Sequence, residues 1–209
     1  MYVSEKSRDP SRPSALKVIK HIRSPTMTVS GDAAGNDQPQ SLVAWHDPLG
    51  ALRQRNLGLA EVKVGDRLES VTLVNQGFQL LLDCWPSFPN DPALVTGLGK
   101  ALLAAGHGTE AAAAFEQAIQ MEPEVALHYL HAGLAWKVAH DYKKAVTYLE
   151  KAQQLDPFLE QPYLELAKTH SEARDSAMVR QTYERYLKAF PKSLAAKTAI
   201  LNSSKLVPP

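Results

Sequence analysis

Three short phrases recur along the chain at a constant spacing of 34 residues. FEQAIQMEP begins at Phe115, LEKAQQLDP at Leu149 and YERYLKAFP at Tyr183. Each phrase begins with a large apolar side chain and ends with a proline, which cannot continue a helix. A fixed period of this length predicts a stack of helical hairpins, because one hairpin cannot bury its own apolar face and stacked hairpins can.

Rows that start at Pro92, Ala126 and Glu160 bring equivalent residues into columns. Small residues recur in three columns and a large residue in a fourth, so we expect the two helices of a row to approach closely and large side chains to fill the remaining space. In the third row Val179 and Tyr186 replace alanines, which predicts looser or shifted packing there. Column eight holds Gly99, Gly133 and Ala167, and column twenty holds Ala111, Ala145 and Val179. Column twenty-four holds Phe115, Leu149 and Tyr183, and column twenty-seven holds Ala118, Ala152 and Tyr186.

The columns resemble the tetratricopeptide repeat family, whose signature is W-x2-L-G-x2-Y, then A-x3-F, then proline over about 34 residues. The resemblance covers residues 92–193. It implies an all-α fold, a right-handed α–α superhelix with repeats at 92–125, 126–159 and 160–193 and a capping helix and tail at 194–209. The second row matches through Tyr129, Ala132, Gly133, Trp136, Ala145, Leu149, Ala152 and Pro157.

Polar residues mark the turns inside the rows. Thr109, Asp141 and either Asp175 or Ser176 stand where a second helix should begin, and such side chains cap helix starts by accepting hydrogen bonds from free backbone N–H groups. We therefore predict one such cap in each row.

Residues 47–91 precede the regular rows and are predicted to form a degenerate first helix pair, which raises the repeat count to about three and a half. Asp47 followed by Pro48 signals a helix start, VGD at 64–66 interrupts the pattern, and WPSFPNDP ends the second helix. Leu57 stands 41 residues before Leu98, one period plus seven, and we assign the extra length to the second helix.

Residues 1–46 have no sustained apolar period and contain the tract SGDAAGNDQPQS. They are predicted to form an irregular, partly disordered arm, within which ALKVIKHI is compatible with a short helix or strand. The first 23 residues carry six basic and two acidic side chains, so this arm is either a solvated tail or a contact for an acidic partner.

The family resemblance implies an inner, concave face built from the first helix of each repeat. Exposed leucines in such a groove indicate a protein or peptide partner, with lysines to orient it, unless the N-terminal segment or a neighbouring domain covers them. We further expect glutamate at Leu130 and Leu134 to abolish binding without affecting stability. The candidate groove residues are Thr96, Lys100, Leu103, Leu127, Leu130, His131, Leu134, Lys137, Leu164, Glu165 and Lys168.

Family members that hold a C-terminal carboxylate use lysine and asparagine on successive first helices. At the corresponding positions this chain has Thr96 and Lys100, then His131, then Gln161 and Glu165. Only one basic group matches, and Glu165 would repel a carboxylate. A carboxylate-clamp co-chaperone is therefore disfavoured.

Several other functions find no support in the sequence. The net charge of +1 does not suggest nucleic-acid binding, no stretch is apolar enough for a membrane span, and the motifs of phosphate loops, hydrolases and metalloproteases are missing. His128, His131 and His170 lack convincing ligand spacing, and the single cysteine, Cys84, is expected to be buried and inert. We therefore predict neither an enzyme nor a resident metal or cofactor.

The layout of residues 47–119 also resembles the C-terminal part of certain bacterial multihaem c-type cytochromes. That resemblance implies an accessory module or fragment of an electron-transfer protein in the periplasm, although this chain contains no CxxCH. The absence of an apolar signal-peptide core in the first residues favours the cytoplasm if the chain is a whole gene product.

Overall fold

The computed structural model describes residues 48–194 and 197–198. Within these residues eight α-helices are delimited and no strand occurs. They are α1 (Pro48–Arg67), α2 (Val71–Cys84), α3 (Pro92–Ala104), α4 (Gly108–Met121), α5 (Ala126–Val138), α6 (Tyr142–Leu155), α7 (Gln161–Glu172) and α8 (Ser176–Ala189).

The helices form four consecutive hairpins. A turn of three residues joins the two helices of each hairpin, so they run antiparallel, and each hairpin packs on the next. The first helices α1, α3, α5 and α7 also contact one another in that order. The result is the all-α solenoid that the period predicted, with a core distributed along the stack in several apolar clusters.

The two helices of a row approach closely at column eight, as expected, and there the small residue faces the large residue of column twenty-four. A Cβ on Gly99 would lie 2.8 Å from Cε1 of Phe115, and one on Gly133 would lie 2.6 Å from Cγ of Leu149. Both distances are too short for a side chain, so glycine is what lets α3 approach α4 and α5 approach α6.

The alanine columns are also packing positions. In the first two rows, columns twenty and twenty-seven hold four alanines, and all four are fully buried. A larger side chain in these columns would push the neighbouring helices apart. They are Ala111, Ala118, Ala145 and Ala152.

The third row replaces one of these alanines with Tyr186, which the structure accommodates in a different way. Tyr186 is fully buried, and its ring lies 5.8 Å from that of Tyr163 and 5.7 Å from that of Phe190. Its hydroxyl donates to Glu160, and Ser193 donates to the same carboxylate oxygen at 2.6 Å. An aromatic cluster therefore replaces the small-residue contact, so the packing shifts here instead of loosening.

Helix capping confirms two predictions and corrects one. Asp141 and Asp175 accept hydrogen bonds from the backbone N–H groups of Lys144 and Met178, both at 3.1 Å. Thr109 is not a cap, because α4 already begins at Gly108. A Cβ on Gly108 would lie 2.5 Å from the backbone nitrogen of Ala139, so this position serves close contact with the next hairpin.

The first hairpin differs from its prediction in two respects. VGD does not end α1, because Gly65 lies within the helix, where a Cβ would be 2.7 Å from the backbone nitrogen of Val74 in α2. The extra length belongs to α1 and to the connection after α2, not to the second helix: α1 has 20 residues and α2 has 14. Gly65, which the sequence analysis interprets as a helix breaker, is a point of close contact between α1 and α2.

An ion pair fastens this hairpin to the next one. Arg55 in α1 donates to Asp91, which also caps α3 by accepting from the backbone N–H of Ala93 at 2.9 Å. Burial raises the pKa of Asp91, but the hydrogen bond and charge of Arg55 outweigh this, and the pKa lies below its ordinary value.

Three expectations lie outside the described residues. They are the irregular arm at 1–46, the helix start at Asp47 and most of the capping helix at 194–209. Among the described helices, none has both the length and the apolar character needed to cross a bilayer.

Candidate partner-binding groove

The side of α5 that faces away from α6 carries an apolar stripe. Gly133 faces α6, because a Cβ there would meet Leu149. Leu127, Leu134 and Val138 follow the spacing i, i+7 and i+11, which places them together roughly 120° around the helix axis from Gly133. Leu127 is 48% exposed, Val138 is also exposed and Leu134 is half-buried. We call these three side chains the α5 stripe.

The equivalent positions on the neighbouring first helices are not apolar in the same way. In α3 two exposed alanines flank a half-buried lysine, and in α7 all three residues are polar and exposed. The α5 stripe is therefore bordered by a shallow surface on one side and a polar surface on the other. The equivalent residues are Ala93, Lys100 and Ala104 in α3 and Gln161, Lys168 and Glu172 in α7.

Glu165 links α5 to α7 through two lysines. One carboxylate oxygen accepts from Lys137 Nζ at 2.6 Å and the other from Lys168 Nζ at 2.8 Å. Burial raises the pKa of Glu165, but the hydrogen bonds and charges of both lysines outweigh it, so the pKa lies below its ordinary value. Two of the three lysines predicted to orient a partner therefore already neutralise an internal carboxylate.

Leu130 does not line an accessible groove, contrary to the prediction. It is 1% exposed and packs with Leu149, Ala152 and Leu166 in the core between the second and third rows. Its column lies on the side of α5 that meets α7, so the leucine fills space between hairpins. Replacing it with glutamate would bury a charge, and the expectation that stability would be unaffected is wrong for this residue.

Three further predicted groove residues are half-buried and have contacts within the protein. Thr96 Oγ1 lies 3.5 Å from Nδ1 of His128. Leu103 packs on the core cluster around Phe115, and Leu164 packs on the aromatic cluster around Tyr186. These three side chains therefore contribute to packing within the stack.

His131 lies between the α5 stripe and α4. Its ring stacks on Phe115 with centroids 5.2 Å apart and an angle of 20° between the planes. Burial, and then the positive charge of Lys100, lower the pKa of His131 to about 4. His131 is therefore neutral at pH 7. No ion pair joins Lys100 to a side chain of the described residues.

A hydroxyl, an imidazole and a carboxylate follow one another at Thr96, His128 and Glu122. The imidazole Nε2 lies 2.8 Å from Oε2 of Glu122, and the imidazole is buried. This order of groups occurs in nucleophilic triads, but the contact from Thr96 is at the upper limit for a hydrogen bond. We interpret the chain of contacts as a structural tie between α3 and the start of α5.

The other candidate chemical groups are structural as well. Cys84 is buried as predicted, and burial raises its pKa to about 11, so the thiol is protonated and unreactive at pH 7. His170 is buried in its packing column, as expected. In the described part of the chain no three metal-ligating side chains come together.

One cluster escaped the sequence analysis. Glu116 in α4 accepts from Trp136 Nε1 at 3.0 Å and from the Tyr148 hydroxyl at 2.8 Å, and Lys144 Nζ lies 3.7 Å from the centroid of the Trp136 ring. The cluster ties α4, α5 and α6 together on the side of the stack away from the α5 stripe. The available signal was Trp136 itself, because a partly buried indole N–H normally finds an acceptor.

Comparison with known proteins supports the tetratricopeptide repeat assignment. The family model described as tetratricopeptide repeat matches residues 140–158, which comprise α6 and its flanking turns. No curated protein matches the sequence. The comparisons give no support to the resemblance to multihaem c-type cytochromes.

Solved structures share the fold at low sequence identity. A structure of MamA (AMB-1) is 18% identical with a TM-score of 0.61 over 77% of this chain and 84% of that one. A thermophilic tetratricopeptide protein of Thermus thermophilus is 12% identical with a TM-score of 0.56 over 71% and 82%. The APC/C hetero-tetramer Cut9–Hcn1 gives 16% identity and a TM-score of 0.57 over 70% of this chain and 30% of that one. The chain therefore has the tetratricopeptide solenoid fold.

Proposed function

We propose that this chain is an interaction scaffold that binds a segment of a partner protein across the face formed by α3, α5 and α7. The observation that supports this most directly is the α5 stripe, since exposed apolar side chains gathered on one face of a solenoid mark a binding surface. In this proposal the helix pair at 47–91 and the repeats at 92–125, 126–159 and 160–193 form one continuous scaffold.

The charges on this face indicate the chemistry of the partner. Lys137 and Lys168 are already paired with Glu165, which leaves Lys100 as the cation next to the α5 stripe. A partner segment with two or three apolar side chains and one acidic group near Lys100 would complement this surface. A chain terminus held by its carboxylate alone would not, because Glu165 occupies the lysines that it would need.

A solved structure with the same fold gives this proposal a precedent. The Cut9–Hcn1 structure is described as a hetero-tetramer, so one solenoid of this fold is part of a protein assembly. The precedent concerns the class of function, and the identity of a partner has to come from experiment.

Affinity capture with a matched pair of variants tests the proposal. Leu127→Glu changes an exposed leucine of the α5 stripe, whereas Phe158→Glu changes a residue that is 88% exposed in the turn between α6 and α7. We expect the first variant to lose partners that both the wild-type chain and the second variant retain. Retention of all partners by Leu127→Glu would refute binding on this face.

A further inference from the structure

Helix α1 is the first described helix of the stack, and its side that faces away from α3 exposes a second apolar surface. Leu57, Val64 and Leu68 follow the spacing i, i+7 and i+11 and lie within about 20° of one direction around the helix axis. Leu59 points the opposite way, because its Cδ2 would be 2.6 Å from a Cβ on Gly97 in α3. The three side chains are 46–65% exposed, so nothing in the described structure covers them.

Helix α2 extends this surface. Leu73 and Leu80 are half-buried and lie next to α1, where their Cβ atoms are 3.0 and 3.1 Å from the Cβ positions of Gly65 and Gly58. Together with Leu57, Val64 and Leu68 they form what we call the end face. It lies where one more hairpin would stack if the solenoid continued, and an uncovered end of this kind lacks the polar outer surface that terminal repeats normally present.

A carboxylate in the end face lacks a hydrogen-bond partner. Glu61 lies on α1 between helix α2 and the line of Leu57, Val64 and Leu68, as its position on the helical wheel shows. Its Oε2 is buried and accepts no hydrogen bond in the described structure. A buried carboxylate oxygen without a donor is costly, so its position indicates a donor that is supplied by whatever covers the end face.

The sequence before α1 contains a segment with matching properties. In ALKVIKHI, residues 15–22, the side chains of Ala15, Val18, Ile19 and Ile22 follow the spacing i, i+3, i+4 and i+7 of an amphipathic helix. Lys20 flanks the apolar side of that pattern. A helix of eight residues is about 12 Å long, comparable with the roughly 16 Å between Leu57 and Leu68 along α1.

The connecting chain is long enough for this segment to reach the end face. Residues 23–47 join it to α1 and span up to roughly 80 Å when extended, against about 30 Å for the whole of α1. A linker of this length also gives the segment an effective concentration of the order of millimolar near its own end face, which favours docking within one chain over pairing of two chains.

We propose that residues 15–22 dock as a helix on the end face of their own chain, with Ile19 packed near Val64 and Lys20 donating a hydrogen bond to Glu61. The docked segment supplies a cover for the first hairpin that the described residues do not provide. This inference concerns a different surface from the α5 stripe and does not depend on the proposed partner binding.

Disulfide cross-linking tests the docking. In a Cys84→Ala background, the pair Ile19→Cys and Val64→Cys should form an intramolecular disulfide under mild oxidation at low micromolar protein. The matched control pairs Ile19→Cys with Thr72→Cys, an exposed position on α2 outside the end face. We expect the first pair to close at least about tenfold faster than the control. Equal rates would overturn the proposal, and so would disulfide-linked dimers, which would assign the end face to a second copy of the chain.

Limited proteolysis of the chain with its native cysteine provides an independent readout. Val64→Glu changes an exposed side chain and should preserve helicity, but it should release residues 15–22 and speed trypsin cleavage after Lys17 and Lys20 severalfold. Thr72→Glu is the control and should leave the cleavage rate unchanged. An unchanged rate in Val64→Glu would contradict docking, whatever the cross-linking result.

Discussion

His140 and Arg174 lie 34 residues apart and share a left-handed backbone conformation, with φ of 60° at both. Each is the middle residue of a three-residue turn between two helices of a hairpin, and Gly106 occupies the same place one period earlier with φ of 80°. The backbone N–H after each of them bonds to a carbonyl five residues back, at Leu102, Trp136 and His170, over 2.9 Å. The period therefore dictates backbone conformation even where the side chains differ.

Arg174→Gly should stabilise the chain by about 0.5–1 kcal/mol, because glycine adopts positive φ without the steric cost that a side chain imposes. Arg174 is exposed, so little packing is lost. Ala173→Gly is the control, since its φ of −73° suits any residue and glycine there should be destabilising. Urea unfolding measures both, and a destabilised Arg174→Gly would mean that the turn depends on the arginine side chain.

Gly133→Ala should destabilise the chain by about 1–3 kcal/mol, because the new methyl group would collide with Leu149 across the α5–α6 contact. Combining it with Leu149→Ala removes the collision, so the double variant should lose less stability than the two single changes added together. Thermal or urea unfolding of the four proteins provides the comparison. Strict additivity would show that the two residues do not meet.

Much of this architecture follows from the period alone. The period shows which columns hold small residues and which hold large ones, so the close approach of α5 and α6 at Gly133 is predictable, whereas its contact with Leu149 is seen only in the structure. The prediction of Thr109 as a cap is wrong because it rests on local residue preference alone. The column of Asp141 and Asp175 holds His107 in the first row, and α4 begins directly after it. The prediction at Gly65 is wrong because a glycine that ends a helix cannot be distinguished, in one sequence, from a glycine that allows a neighbouring helix to come close.

Glu165→Gln should destabilise the chain by roughly 1–3 kcal/mol, because it leaves the largely buried ammonium of Lys137 without its counter-ion. The matched control is Glu150→Gln, whose partner Arg185 is 3.9 Å away at an exposed site, and we expect a negligible change there. Denaturant midpoints at pH 7 measure both. Equal losses of stability in Glu165→Gln and Glu150→Gln would show that the ion pair between α5 and α7 stabilises the chain no more than an exposed ion pair does.

The same carboxylate has a pH signature. Its pKa in the folded chain is below the value of about 4.3 expected in the unfolded chain, so the unfolded state binds more protons in that interval. Its stabilising contribution is present above about pH 4.3 and is lost as the pH falls through the folded pKa. The difference in stability between wild type and Glu165→Gln should therefore shrink under acid.

His131 predicts a pH dependence in a higher range. The pKa of His131 is lowered from 6.5 to about 4 in the folded chain. Between pH 6.5 and pH 4 the imidazole therefore binds a proton more readily in the unfolded chain than in the folded one. The free energy of unfolding consequently falls as the pH drops from 6.5 towards 4. The total contribution is roughly 3 kcal/mol. His131→Gln should flatten the dependence, and urea unfolding of both proteins at several pH values measures it. Identical curves for His131→Gln and wild type between pH 7 and pH 5 would contradict this assignment.

The candidate groove was harder to predict than the fold. Leu130 and Leu127 are three residues apart on the same helix, and only the position of α7 decides that the former is core and the latter surface. The pairing of Glu165 with Lys168 is visible in the sequence as an i, i+3 pair, but that with Lys137 crosses from one repeat to the next. Long-range charge pairing depends on how the hairpins stack, which residue types alone do not specify.

The most direct test of the account is the affinity of the scaffold for a partner isolated by capture on the wild-type chain. Titration calorimetry would give Kd for wild type, Leu127→Glu, Leu134→Glu and the control Phe158→Glu, with circular dichroism to verify that each remains folded. Binding on the α5 stripe predicts that Kd rises at least about tenfold, or 1.4 kcal/mol, for the two leucine variants and stays unchanged for the control. An unchanged Kd in folded Leu127→Glu and Leu134→Glu would contradict the central claim.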